Sequence, residues 1–205
     1  MAVRFERSAL QRYLARRGGA ATGLAPDQRL AAVFALLVDR DQTGLLFIRR
    51  AELGDPWSGQ IAFPGGHVQA DDRDALAACY RELEEEVGIE RQAVTCLGDL
   101  GCFPTQTHRV VVRVFVGWWD GLAPPRPDAI EVAAVFETPV AHLLAHHHRQ
   151  GFNKRTAEEI GRDLIYPLPG NPGEVTDDPN AAIWGVTARI LHSLLGVMAE
   201  ATAGP

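Results

Sequence analysis

Apolar residues recur along this chain with two different periods. Residues 30–38 read LAAVFALLV and residues 45–50 read LLFIRR, both of strand length. The turn-forming stretch 39–44 between them predicts a hairpin. Further strands are predicted over 94–103, over RVVVRVFVGWW at 109–119, over EVAAVFE at 131–137 and around DLIYPL at 163–168. Helical spacing appears over 71–87, where Leu76, Tyr80, Leu83 and Val87 share a flank and Gly88 supplies the stop. Helices are also expected over 139–149 and near 181–199. At the start, Phe5, Leu10, Tyr13 and Leu14 stand near helical spacing within 3–17, and the segment GGAATGLAPDQ then breaks the pattern. The reading is a mixed α/β domain over 30–200, preceded by a helical extension and linker over 1–29 and followed by a disordered tail over 201–205.

With 205 residues, 46% of them apolar, the chain can bury a core without disulfides or a structural metal. Its formal charge of −6 gives no basic field for nucleic acid or anionic membranes, so neither is expected as a partner. Five arginines and Glu6 in the first 17 residues leave no signal-peptide core, and no apolar run is long enough to span a bilayer. Cytoplasmic placement follows as the expectation. Cys79, Cys96 and Cys102 are odd in number and show no CxxC spacing, and read as reduced core thiols.

Chemistry is concentrated in R81-E82-L83-E84-E85-E86-V87-G88-I89. A turn of about 100° per residue brings Glu82, Glu85 and Glu86 into one narrow arc and sends Glu84 to the far side. A solvated acidic face would tolerate this, at about 0.2–0.5 kcal/mol per like-charge pair. In a pocket, two carboxylates about 5 Å apart at an effective dielectric near 20 repel by roughly 3 kcal/mol, and a divalent cation relieves them. Oxygen-only ligands favour Mg²⁺ or Mn²⁺ over zinc.

The spacing decides between these. The segment, following the Gly65-Gly66 loop, closely resembles the Nudix box, with Arg81, Glu82, Leu83, Glu85, Glu86, Gly88 and Ile89 all matching. That resemblance implies a Nudix α/β/α sandwich with a mixed sheet between helices, and a Mg²⁺- or Mn²⁺-dependent pyrophosphate hydrolase. Glu82 and Glu86 would then be primary metal ligands, Glu85 a further ligand or the acceptor of the water's proton, and Arg81 the group that orients a neighbouring carboxylate. Two features depart from the box. Fourteen residues separate Gly66 from Arg81, one more than usual, and only the pair Asp71-Asp72 represents the first glutamate.

The longer spacing is similar to that of the coenzyme A pyrophosphatase branch of the superfamily, and so is the run LFIRRAELGDPWSGQIAFPGG with the later IWGVTARILHSLL at 183–195. The branch often has a histidine where this chain has Asp55-Pro56-Trp57-Ser58. This likeness implies a small-molecule nucleotide substrate, CoA or a derivative, cut between its two bridging phosphates to give 4′-phosphopantetheine and 3′,5′-ADP. Hydrolysis of ADP-ribose, dinucleoside polyphosphates or another nucleoside diphosphate derivative is the alternative, and a catalytically silent nucleotide-binding regulator is a third, against which the intact REUxEE segment stands. A homodimer is compatible with the sequence.

Other residues carry smaller expectations. Glu131 opens a strand where many Nudix proteins place an extra carboxylate. Arg50, and less so Arg49, ends a strand before the loop and suits substrate phosphates. Trp57 suits stacking on a base, while Trp118 and Trp119 read as a packed strand-end pair. His142, His146, His147 and His148 read as a polar helix end, because consecutive helical residues point apart.

Overall fold

A computed structural model describes residues 5–17, 23–168 and 182–203. The sheet is built around two parallel strands, β1 (Arg29–Val38) and β6 (Val110–Trp119), paired along their whole length. Strand β5 (Val94–Pro104) runs antiparallel outside β6. On the other side β2 (Gly44–Arg50) pairs with the end of β1, as the predicted hairpin, and β7 (Val132–Pro139) runs antiparallel along its far edge.

Strands β1 and β2 stay together only where Leu36, Leu37 and Val38 face Leu46, Leu45 and Gly44. Beyond that they part, and residues 61–67 fill the gap. Strand β3 (Ile61–Ala62) pairs with Ile48 and Arg49, while β4 (Gly65–His67) pairs with Ala31, Ala32 and Val33. Further backbone bonds secure both ends of this wedge: Arg50 N–H to Gln60 O, Phe34 N–H to Pro64 O and Val68 N–H to Leu30 O, each 3.0 Å.

Alternation in the strands buries both faces of the sheet. Phe34, Leu36, Phe115 and Trp119 face α2 (Ala75–Val87), which contributes Ala78, Cys79, Leu83 and Val87. Ala35, Leu37, Val114, Val116 and Trp118 face the opposite layer of α1 (Arg7–Arg17), α3 (Val140–Arg149) and α5 (Gly185–Ala203). A short α4 (Ala157–Ile160) and the ribbon of β8 (Tyr166–Pro167) with β9 (Ala182–Ile183) complete that layer. The result is the expected α/β/α sandwich.

Several boundaries differ from expectation. Helix α2 begins at Ala75 because Asp74 caps it, accepting the Ala77 N–H at 2.8 Å, and Gly88 ends it at φ 64°. The helix of the N-terminal extension packs into the core: Leu10 and Leu14 are buried against β5 and α5, and the Phe5 N–H donates to Thr43 Oγ1 at 3.3 Å. Helix α5 starts at Gly185 and continues through Ala203, so three residues of the predicted tail are helical. Part of the predicted linker (18–22) and the last two tail residues (204–205) lie outside the described residues.

The histidine run is not a polar helix end throughout. Helix α3 buries the stripe Val140, Leu143 and His147, and His147 reaches Tyr166 Oη from Nδ1 at 2.8 Å, with the His192 ring 5.0 Å away. His148 is exposed. Of the cysteines, Cys79 is buried, whereas Cys96 and Cys102 are only half-buried; all three are free thiols. Among the described residues, no helix is long and apolar enough to cross a membrane.

Candidate active site

The wedge brings the backbone of residues 65 and 66 against α2. Gly65 sits at φ +143°, and a Cβ there would lie 2.2 Å from Ala32 O. Its N–H donates to Glu86 Oε2 at 2.8 Å. A Cβ on residue 66 would lie 2.4 Å from Glu82 Oε1, so only glycine lets that carboxylate approach. The two glycines of the loop and two glutamates of the helix are therefore fitted to one another.

Arg81 ties the helix to the lengthened loop. Its Nε and Nη2 donate to Asp72 Oδ1 and Oδ2 at 3.1 and 2.9 Å, and its Nη1 donates to Glu82 Oε1 at 2.9 Å and Glu85 Oε2 at 2.8 Å. Of the acidic pair it is thus Asp72 that holds Arg81, while Asp71 is exposed. The pairing holds the Asp72 carboxyl below the usual range. Sequence reading named the Asp71-Asp72 pair without choosing between them; a register count back from Arg81 along the loop could not, because the loop is not helical.

One cavity of about 490 Å³ is lined by Arg50, Trp57, Gly65, Gly66, Arg81, Glu82, Glu85, Glu86 and Glu131, whereas Arg49, the lesser phosphate candidate beside Arg50, does not line it. Arg50 enters from the end of β2, with Nη1 3.8 Å from Glu86 Oε1 and Nη2 3.7 Å from Asp55 Oδ2. Its buried Nε has no hydrogen-bond partner among the described residues. Asp55 also accepts the Trp57 N–H at 2.7 Å, which fixes the loop on which the half-exposed Trp57 stands. Glu131 is brought in by the Ala51 N–H, which donates to its carbonyl at 2.9 Å. Asp55 was missed in the sequence, where nothing distinguished it from an ordinary loop acid.

Burial dominates the electrostatics. Glu86 is 2% exposed, and burial pushes its carboxyl up to about 7; the Gly65 N–H and Arg50 oppose the shift, and Glu82 and Glu131 add to it. Glu82 is raised by burial too, against the opposing pull of Arg81. Among the described residues no three side chains close into a ready metal cage, since Glu82 and Glu85 are turned to Arg81 and Glu86 to Gly65. Even so, one guanidinium nitrogen already holds Glu82 and Glu85 together, and the carboxylate excess around Glu86 is undercompensated. An all-oxygen donor set of this kind fits a hard divalent cation such as Mg²⁺ or Mn²⁺.

A mixed α/β/α sandwich whose loop glycines and helix glutamates line one acidic cavity defines the class. Residues 28–160 match the NUDIX domain family. The chain is 36% identical over 178 residues to proteins described as an uncharacterized Nudix hydrolase, NudL, from Salmonella newport and Salmonella dublin, with 82% of each chain covered. Similar solved structures include a Caenorhabditis elegans Ap4A hydrolase binary complex, at TM-score 0.48 and 15% identity over 57% of this chain and 84% of that one. The NUDIX domain of Shewanella oneidensis NrtR complexed with ADP ribose compares at TM-score 0.48 and 19% identity, over 65% and 85%. The chain belongs to the Nudix family. It is a Nudix pyrophosphatase, a hydrolase of a nucleoside diphosphate derivative.

Proposed function

We propose that the enzyme hydrolyses the pyrophosphate bond of coenzyme A or a CoA derivative, with Mg²⁺ or Mn²⁺, to 4′-phosphopantetheine and 3′,5′-ADP. The observation that carries this reading is that Val186 and Thr187, from the very IWGVTA segment that resembles the CoA branch, line the same cavity as Glu82, Glu85 and Glu86.

In the proposed mechanism Glu82, Glu85 and Glu86 would hold the cation, which would supply charge neutralisation for the phosphate oxygens and acidification of a water. Arg81 keeps Glu82 and Glu85 facing the cavity by donating to both, and Asp72 keeps Arg81 in place. Glu85 is the most open of the three, so its carboxylate can take the water's proton as well as bind. Arg50, with an unpartnered Nε, offers donors to a substrate phosphate, and Glu131 adds a fourth carboxylate. Trp57, held by Asp55, supplies a surface for the base.

Initial rates on CoA, dephospho-CoA and ADP-ribose under identical Mg²⁺ test the reading. CoA should have the highest kcat/KM, and the preference should drop for dephospho-CoA if Arg50 reads the 3′-phosphate. Faster turnover of ADP-ribose than of CoA would remove the branch assignment and leave the general pyrophosphatase.

A further inference from the structure

The cavity changes character across the sheet. On the β2–β7 side it is lined by Arg50, Asp55 and Glu131, and at the wedge by the α2 carboxylates. On the β1–β6 side the apolar lining is Ala31, Val33, Val110 and Val112 together with Val186 and Ile190 of α5, beside Thr187 of the same helix. These six belong to, or pack against, the core on the α5 face of the sheet, so this end of the cavity is the open rim of that core. Among the described residues, no charged side chain lines it. The Thr105 hydroxyl that borders it is already bonded to Val110 O at 3.1 Å. Arg189, one turn into α5, is drawn aside to Pro104 O at 2.8 Å and pins the helix against the β5 end.

We infer that this rim is the subsite for an elongated, uncharged, mainly apolar arm esterified to the phosphate distal from adenosine. The inference rests on the pyrophosphatase reading above and specifies which part of the molecule goes where. A second nucleoside or a sugar would bury hydroxyls and ring nitrogens against valine and isoleucine without partners. A base would want a free aromatic face, and Phe63, which lines the cavity, already stacks on Phe47 with centroids 4.9 Å apart. Trp57, on the opposite side, keeps its face open. Val186 and Ile190 also stand outside the stretch 28–160 that matches the family, so this wall comes from chain beyond the matched stretch. Function is set by the particular side chains lining a site and not by the shared fold, so this wall can discriminate between substrates that share one reacting centre.

The test uses adenosine diphosphates esterified on the second phosphate with methyl, butyl or octyl chains, assayed with the full-length enzyme and Mg²⁺. KM should fall by about threefold for each methylene that enters the rim, with kcat changing far less. A KM independent of chain length overturns the assignment. Val186→Asp, a half-buried position in the first turn of α5, should erase the length dependence; dependence that survives intact places the arm elsewhere and also overturns it. If that variant is misfolded by circular dichroism, Val110→Asp makes the same comparison. Calorimetric binding of the three esters to Glu86→Gln reads the arm without turnover. Length-dependent affinity with no hydrolysis by the wild type would retain the subsite and sink the pyrophosphatase reading, whereas hydrolysis with flat affinity would do the reverse.

Discussion

Replacing Glu86 with glutamine should make the metal-free protein more stable and nearly inactive at once. Burial pushes the Glu86 carboxyl up to about 7 from its usual 4.5. An acid whose folded value is raised binds more protons folded than unfolded between those limits, so its contribution to stability is lost as pH rises through 4.5 to 7. At pH 8 the ionised, 2% exposed side chain costs about 3 kcal/mol, taking 1.36 kcal/mol per pH unit. Glutamine keeps an oxygen to accept the Gly65 N–H but gives up the attraction to Arg50 and leaves an amide to satisfy, returning roughly 1 kcal/mol. The net gain is roughly 2 kcal/mol, or roughly 4–8 °C in Tm for a domain of this size. Differential scanning calorimetry in EDTA at pH 8 and pH 5 measures it, and the gain should vanish at pH 5, where the wild type is already protonated. Turnover at saturating Mg²⁺ should drop by at least about two orders of magnitude. A variant that melts at or below the wild type at pH 8, or that keeps near-normal turnover, refutes the reasoning.

Three further outcomes are expected. Mg²⁺ should raise the Tm of the wild type by mass action, and Glu82→Gln should abolish the rise; a rise retained in the variant moves the ion elsewhere. Asp72→Asn should lower kcat or Mg²⁺ affinity by about 10–100-fold while leaving the fold intact by circular dichroism, because it frees Arg81 from its anchor; unchanged kinetics would make the pair merely structural. Burial and neighbouring histidines lower His147 to about 4, so the folded protein binds fewer protons than the unfolded chain below about pH 6.5, and stability is lost as pH falls toward 4 by about 3 kcal/mol. Urea titrations at pH 7 and 4.5 should show a smaller acid loss in His147→Phe than in the wild type; equal losses would acquit His147.

Residues that repeat within one element were readable from the chain alone. Helix α2 announces itself through Leu76, Tyr80, Leu83 and Val87, and the same periodicity puts the three glutamates on its edge. The strands declare themselves by length and β-branching, yet nothing local dictates that β1 and β6 pair in parallel. Strands β3 and β4, of two and three residues, are too short to show any period, so the wedge reads only as an apolar piece and a break. His147 is polar by type but sits on the buried stripe with Val140 and Leu143, and a residue class outweighed a spacing there. The choice of Asp72 over Asp71 depends on how an irregular loop folds back onto Arg81, a contact across nine positions that no periodicity encodes.

The wedge also governs where this protein can change length over evolutionary time. Residues 61–67 are locked in register to β2 at one end and β1 at the other, so a single insertion there would flip side chains to the wrong face of both and draw Gly65 and Gly66 off the glutamates. Residues 68–74, by contrast, leave the sheet after Val68 and are tied to the helix by Asp72 and the Asp74 cap, mostly at the surface. An indel can be absorbed there at the small entropic charge of a slightly longer loop, provided one acid still reaches Arg81. The extra residue between Gly66 and Arg81 falls in the interval that contains this stretch, and a library of one- and two-residue insertions should tolerate change at 69–71 and reject it at 61–67.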